Sequence, residues 1–210
     1  MPQRWVPAVF MRGGTSKGLF FHAGDLPADP AARDLLAALG SPDPFGRQLD
    51  GMGGGISSLS KAAVIGPPSR PGADVDYTFA QVAVDRPVVD LGANCGNLSS
   101  AVGPFAVDQG LCPRQDGPAL VRIHNTNTGG LIHAAFAVRG GCAETEGDLA
   151  IPGVAGTGAP VRLDFLDPGG ASTGRLLPTG SPVDEVSLDR AGRFRLSLVD
   201  ATNPVAFVAA

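Results

Sequence analysis

The sequence predicts a mixed fold, α+β in class, made of many short strands and few helices. Three observations carry this. Glycine (30) and proline (19) are abundant and lie between short apolar runs, the texture of frequent turns. Residues are 43% hydrophobic and 17% charged over a length of 210, so the chain has the means to fold around a sizeable core. Two stretches carry apolar residues at helical spacing, and the rest alternate or run short.

Taken in order, Val6 to Met11 reads as an opening strand and Leu19 to His22 as its partner across the loop Arg12 to Gly18. From Asp29 to Leu39, Ala32, Leu35, Leu36 and Leu39 recur at helical spacing, with Pro30 suited to a first turn and Gly40 to a stop. Asp50 to Gly55 is a glycine loop, and Ala62 to Ile65, Tyr77 to Val84 and Val88 to Leu91 read as strands. Asn97 to Leu111 is a second helix, apolar on most sides and interrupted by Pro104. Leu120 to Asn125 and Leu131 to Val138 form a hairpin around residues 126–130. At about residue 150 the texture changes. A linker from Ile151 to Pro160 precedes strands at Val161 to Phe165, Val183 to Leu188, Phe194 to Leu198 and Val205 to Val208. This divides the chain into a first unit, 1–150, and a second, 151–210, which stops at an apolar strand and reads as incomplete.

Charge and cysteine usage narrow the function classes. The net charge of −4, with no basic stretch, argues against a nucleic-acid partner. No apolar run reaches the length of about 18 residues that a membrane span requires, and no secretory signal opens the chain. The three cysteines, Cys95, Cys112 and Cys142, are an odd and sparse set, which predicts free thiols and a cytoplasmic location. They share no metal-ligand spacing with His22, His124 and His133, so no metal site is expected.

Three loops can carry chemistry. Cys95 lies between Asn94 and Gly96 at a predicted helix start, where unpaired N–H groups and the helix dipole favour a thiolate. A cysteine before a helix is more often a small buried residue, but Asn94, Gly96 and Asn97 are poor core material. Lys61 follows a glycine–serine segment, 51–60, that can nest an anion, and it enters the apolar run 62–65, where partial desolvation favours a neutral amine. A solvated loop lysine is an equal alternative. Residues Arg12, Gly13, Gly14, Thr15, Ser16, Lys17 and Gly18 offer two cations, two hydroxyls and three glycines. They fail the phosphate-loop pattern and suit a carboxylate, unless they form a plain hairpin turn. The segment His124 to Thr128 reads slightly better as a turn than as a ligand contact.

The segments Arg12 to Gly18, Asp50 to Lys61 and Asn94 to Ser100 closely resemble the PrpF family, and similar stretches at 151–160, 173–180 and 200–204 extend the likeness over essentially the whole chain. Members isomerise methylaconitate, methylitaconate and oxalomesaconate and share the diaminopimelate epimerase-like fold. The resemblance implies two similar domains, each a mostly antiparallel sheet wrapped around a central helix, with a cleft between them. It implies Cys95 and Lys61 as a catalytic pair. It puts substrate carboxylates at the loops holding Gly13, Gly14, Thr15 and Ser16 and Gly54, Gly55 and Ser57, and at Asn203; Arg12 and Lys17, as cations, and Asn94, Gly96 and Asn97, beside Cys95, are expected as further substrate-binding residues. No cofactor is implied. Family members run on beyond the equivalent of Ala210, so the second domain is expected to be only partly present, with an open sheet edge that invites dimerisation. The implied activity is a double-bond shift by 1,3-proton transfer in a small unsaturated polycarboxylate. An epimerase with two facing thiols and an inactive binding protein are the rivals.

Overall fold

A computed structural model describes residues 5–27, 31–190 and 192–208. The first hairpin pairs β1 (Val9–Gly13) with β2 (Ser16–His22), and α1 (Ala31–Leu39) follows. Then come β3 (Lys61–Gly66), β4 (Val75–Val82), β5 (Val89–Asp90), α2 (Gly96–Asp108), β6 (Gly117–Asn125), β7 (Leu131–Arg139), β8 (Cys142–Ala143) and β9 (Arg162–Leu166). The last elements are β10 (Asp184–Leu188), β11 (Gly192–Ala201) and β12 (Asn203–Val208). The expected strands appear in their expected order, with β8 in addition. The start of the first helix at Asp29 and Pro30 lies outside the described residues.

The α+β class and the sheet curled around a helix are as expected. The first sheet runs β1-β2-β3-β4-β6-β7-β8, with β5 on β4 and β9 on β7. Its pairs are antiparallel except β2 with β3 and β4 with β6. The sheet closes around α2, which touches β1, β2, β3, β6, β7, β8 and β9. Leu98, Ala101, Val102, Phe105 and Ala106 are therefore at most 3% exposed. Each large side chain so buried contributes about 1.5–3 kcal/mol. Leu98, Val102 and Phe105 together outweigh the cost of about 3 kcal/mol for Pro104 inside the helix. On the opposite face, α1 packs Leu35 and Leu39 against Leu19, Phe21, Ala62, Ala80 and Val82. Strand β2 is covered on both sides, which is why Leu19, Phe20 and Phe21 form an unbroken apolar run.

Two details depart from the sequence reading. The loop Arg12 to Gly18 shrinks to a two-residue turn at Gly14 and Thr15, because Arg12 pairs with Lys17 and Gly13 with Ser16 in the ladder. Strand β9, which falls within the 151–210 segment, pairs antiparallel with β7 and so extends the first sheet. A separate antiparallel sheet, β10-β11-β12, follows it.

A charged brace fixes the parallel β4–β6 join. The Asp74 carboxylate accepts hydrogen bonds from the Arg122 amide at 2.8 Å and from its guanidinium at 2.9 and 3.2 Å, with Arg114 at 2.8 Å. Burial pushes the Asp74 pKa up, but the Arg122 and Arg114 interactions outweigh it and the net shift is downward. A carboxylate with a lowered folded-state pKa stabilises above its unfolded value, about 4, and loses that stabilisation as pH falls through the folded value. Asp74→Asn is expected to cost about 1–2 kcal/mol at neutral pH. In urea titrations the wild-type advantage should shrink steadily as the pH is lowered from about 4.

Candidate active site

The N-terminus of α2 opens at the surface beside the first residue of β3, and this brings Cys95 and Lys61 together. Cys95 is the N-cap residue: its backbone is extended and its Sγ accepts the Leu98 N–H at 3.4 Å. Lys61 Nζ donates to the same sulfur at 3.2 Å and lies 5.3 Å from the centre of the Phe79 ring. Cys95 is 7% exposed and Lys61 is half-buried.

The side chains beneath Cys95 are polar and buried. Asn94 Oδ1 accepts from Asn125 Nδ2 at 2.9 Å and from the Ser99 hydroxyl at 3.4 Å. Ser99 also donates to the Cys95 carbonyl at 2.9 Å. Asn125 in turn accepts from the Thr128 amide and hydroxyl through its Oδ1. Asn94, Ser99 and Asn125 are all at most 7% exposed, so this network holds the cap residue rigidly from below. Asn125 and Ser99 were not singled out by the sequence reading. The signal for Asn125 is the alternation Ala119, Val121, Ile123, Asn125, which turns its side chain inward. The segment His124 to Thr128 is thus a hairpin turn that also steadies the site.

The first hairpin packs directly on the helix start. A Cβ on Gly13 would lie 2.5 Å from the Asn97 carbonyl oxygen and 2.9 Å from Leu98 Cα. Gly14 has φ 50°, and a Cβ there would meet the Asn97 side chain. The Thr15 amide donates to Asn97 Oδ1 at 3.4 Å. Gly96 and Asn97 are exposed at the rim, and Ser16 is buried beneath the turn. From the second sheet, Asn203, with its amide nitrogen turned to donate, reaches the Asn94 carbonyl at 3.3 Å. Two cavities flank the helix start. One of about 320 Å³ is lined by Asn94, Phe165 and Thr202, and one of about 340 Å³ by Arg12, Gly96, Asn97 and Ser100.

Four expected carboxylate contacts find other partners. Arg12 donates to the Gly14 carbonyl at 2.8 Å. Lys17 lies over the Phe10 ring at 5.2 Å; strand alternation gives it the orientation of Leu19, on the α1 side, away from Cys95. The Gly54 amide donates to the Leu59 carbonyl and the Gly55 amide to Gln48 Oε1, so neither N–H is free for a ligand. These bonds give the glycine loop its shape. Gln48, buried and bonded to Ser60, and Gln81, bonded to the Ser57 and Ser60 carbonyls, fix the segment that leads into Lys61. Ser57 itself is exposed beside it. Among the described residues no cluster of three His, Cys, Asp or Glu side chains is arranged to hold a metal, and no helix is long and apolar enough to cross a membrane.

The family model described as "PrpF protein" matches residues 3–210. The chain belongs to the PrpF family. This PrpF chain is 50% identical over 208 residues to a 3-methylitaconate isomerase of Eubacterium barkeri, covering 98% of the chain and 54% of the relative. It is 42% identical over 221 residues to a 2-methyl-aconitate isomerase of Cupriavidus necator, covering 99% and 56%. Against a (4E)-oxalomesaconate Delta-isomerase of Novosphingobium sp. (strain KA1) it is 50% identical over 184 residues, covering 87% and 51%. A crystal structure of a methylitaconate-delta-isomerase superposes with TM-score 0.82 at 50% identity, over 98% of this chain and 53% of that one. The PrpF chain therefore spans about half the length of the relatives it matches.

The packing of Gly13 on backbone atoms has a measurable consequence. Gly13→Ala should force the hairpin off α2 and lower stability by about 1–3 kcal/mol in urea unfolding. Gly24→Ala, where a Cβ meets nothing within 4 Å, should stay within about 0.5 kcal/mol of wild type. Equal effects of the two would contradict the close packing.

Proposed function

We propose that this PrpF chain carries the acid/base half-site of a cofactor-independent isomerase. Its substrate is a small unsaturated di- or tricarboxylate of the methylaconitate, methylitaconate or oxalomesaconate kind, and the reaction is a 1,3-proton shift. The observation that carries this is the 3.2 Å contact between Lys61 Nζ and Cys95 Sγ at the open end of α2. One of the two removes a proton alpha or gamma to a carboxylate. The other returns a proton two carbons away, and the double bond moves. The negative charge that develops is enolate-like, and N–H groups and dipoles at a helix start are suited to stabilise it. Thr15, Gly96, Asn97 and Asn203 rim the pair and are the proposed carboxylate contacts. The names of the relatives support the substrate class.

Geometry also favours a double-bond shift over epimerisation. Inversion needs acid and base on opposite faces of one carbon. Two groups in direct contact at 3.2 Å leave no room for a carbon between them and suit two atoms on one face instead. Among the described cysteines, Cys112 is buried by the far end of α2, where its amide donates to the Ala106 carbonyl, and Cys142 is exposed on β8. The three free thiols fit a reducing, cytoplasmic setting.

Proton NMR of candidate unsaturated polycarboxylates in D2O tests the proposal directly. Wild type should exchange substrate protons and move the double bond. Cys95→Ala, Cys95→Ser and Lys61→Met should each slow exchange by about 100-fold or more, the scale of a lost acid/base group. Wild-type exchange in the Cys95 variants would remove the basis for the pair, and absence of exchange in wild type would favour a binding role.

A further inference from the structure

A polycarboxylate calls for cations besides Lys61, and the two that the first hairpin offers are engaged elsewhere. Lys17 lies over the Phe10 ring, and Arg12 donates to the Gly14 carbonyl and shares its cavity with Asp108 and Glu144. The other cavity beside the helix start differs. Its volume of about 320 Å³ falls within the range of small-molecule sites, roughly 300–1,000 Å³. Its lining includes both Asn94, the residue before Cys95, and Arg70. Phe165 lines it too and stands 3.9 Å from the place of a Cβ on Gly96, so the cavity reaches the first residue of α2. Arg70 is held in place at two points. The Ser69 amide donates to Asp76 Oδ1 at 3.0 Å, and the Ser69 hydroxyl meets His124 Nδ1 at 3.4 Å. His124 Nδ1 is 2.9 Å from Asp76 Oδ1, so both anchors belong to the β4–β6 join. The Arg70 guanidinium itself donates to the carbonyl of Gly129, in the turn between β6 and β7, at 2.5 Å. That bond uses one of its five N–H groups. Arg70 forms no ion pair among the described residues, not even with Asp167, the other charged residue of the lining.

We propose that Arg70 is a specificity-determining residue, its guanidinium binding the terminal carboxylate that a tricarboxylate has and a dicarboxylate lacks. The inference rests on the double-bond shift at Cys95 and Lys61 proposed above. With the reacting carbons at the cap of α2, the third carboxylate extends past Asn94 toward the β6–β7 turn and meets Arg70 there. A planar guanidinium with N–H groups to spare matches a carboxylate in a bidentate pair. Its contact with Gly129 already restrains it, so less freedom is lost on binding. A dicarboxylate leaves Arg70 to solvent at no penalty, because the residue is exposed. The discrimination is therefore a gain for the larger substrate and not a rejection of the smaller one.

Two saturated probes, with no double bond to shift, read binding apart from chemistry. One is propane-1,2,3-tricarboxylate. The other is methylsuccinate, in which a methyl group replaces one terminal acetate arm. In calorimetric titrations wild type should bind the tricarboxylate about tenfold more tightly than methylsuccinate, the weight of one charge-assisted hydrogen bond. Arg70→Gln should abolish the preference by weakening the tricarboxylate. Arg70→Lys should restore part of it, since the charge remains and the fork is lost. A wild type that binds both probes alike overturns the proposal. So does an Arg70→Gln variant that keeps the preference, or one that weakens both probes equally. Proton exchange in D2O, scored on wild type and Cys95→Ser, separates this inference from the reading it rests on. Exchange lost in Cys95→Ser, with the preference kept in Arg70→Gln, sinks this inference alone. Exchange retained in Cys95→Ser, with the preference lost in Arg70→Gln, sinks the catalytic pair and leaves Arg70 as a carboxylate-binding residue.

Discussion

The enclosure of α2 by its sheet sets the terms for everything else. A helix buried on nearly all sides can satisfy its interior N–H and C=O groups internally, but its first N–H groups have no intrahelical partner. The curled sheet leaves them at an open end, and that end is where β3 begins. Leu98, Val102 and Phe105 hold the helix in place, so the position of Cys95 is set by the core and not by a mobile loop. Lys61 is fixed just as firmly, being the first residue of a strand whose next residues, Ala62 and Ala63, are fully buried. Two rigid elements, a helix capped by Cys95 and a strand that begins at Lys61, bring a thiol and an amine to 3.2 Å. This satisfies the general requirement that a reactive constellation be held on the scaffold.

Burial under the site is polar where an ordinary core would be apolar. Ser99 on α2, Tyr77 on β4 and Asn125 on β6 occupy buried positions that would accept leucine or valine by pattern alone, and Asn94 is buried in the segment just before α2. A polar network of this kind has value only if its members are satisfied. Three of the four are, and the Tyr77 hydroxyl, beside Ser99, meets no partner at hydrogen-bonding geometry. The departure from a simple core therefore coincides with the place where a charge is proposed to come and go.

Strands and helices were readable because their apolar spacing is local: the runs at Leu19 to His22, Ala62 to Ile65 and Leu131 to Val138 appear almost residue for residue. The start of α2 at Cys95 was readable for the same reason. The pairing of Cys95 with Lys61 was not visible in spacing, since 34 residues separate them, and came from likeness to the family. What spacing could not reveal was the use of hydrogen-bond donors. Glycine-rich sequence at 53–55 suggests open amides, but Leu39, Leu59 and Gln48 accept them. Likewise Arg12 and Lys17 suggest an anion site until ladder register and side-chain alternation send Lys17 toward Phe10. Such outcomes depend on which partner lies across the fold, which composition does not encode.

The second sheet is tied to the site by a small number of polar contacts that act in series. Asp200 is fully buried, and its Oδ2 accepts the Ser172 amide, the Thr173 amide and the Thr173 hydroxyl at 2.7–2.9 Å. Its own backbone bonds Leu176 and Gly170. This clamp fixes the end of β11 against the loop that follows β9, which belongs to the first sheet. The next turn passes through Thr202 at φ 68°, a left-handed conformation that a threonine adopts only under constraint. The Thr202 amide is held by the Pro168 carbonyl, on the same loop. With both sides of the turn anchored, the residue after it, Asn203, is delivered to the Asn94 carbonyl, one residue before Cys95. Loosening the Asp200 clamp would therefore change the approach of Asn203 to the site while leaving the core around α2 intact. That separates a residue that shapes the rim from the residues that hold the pair.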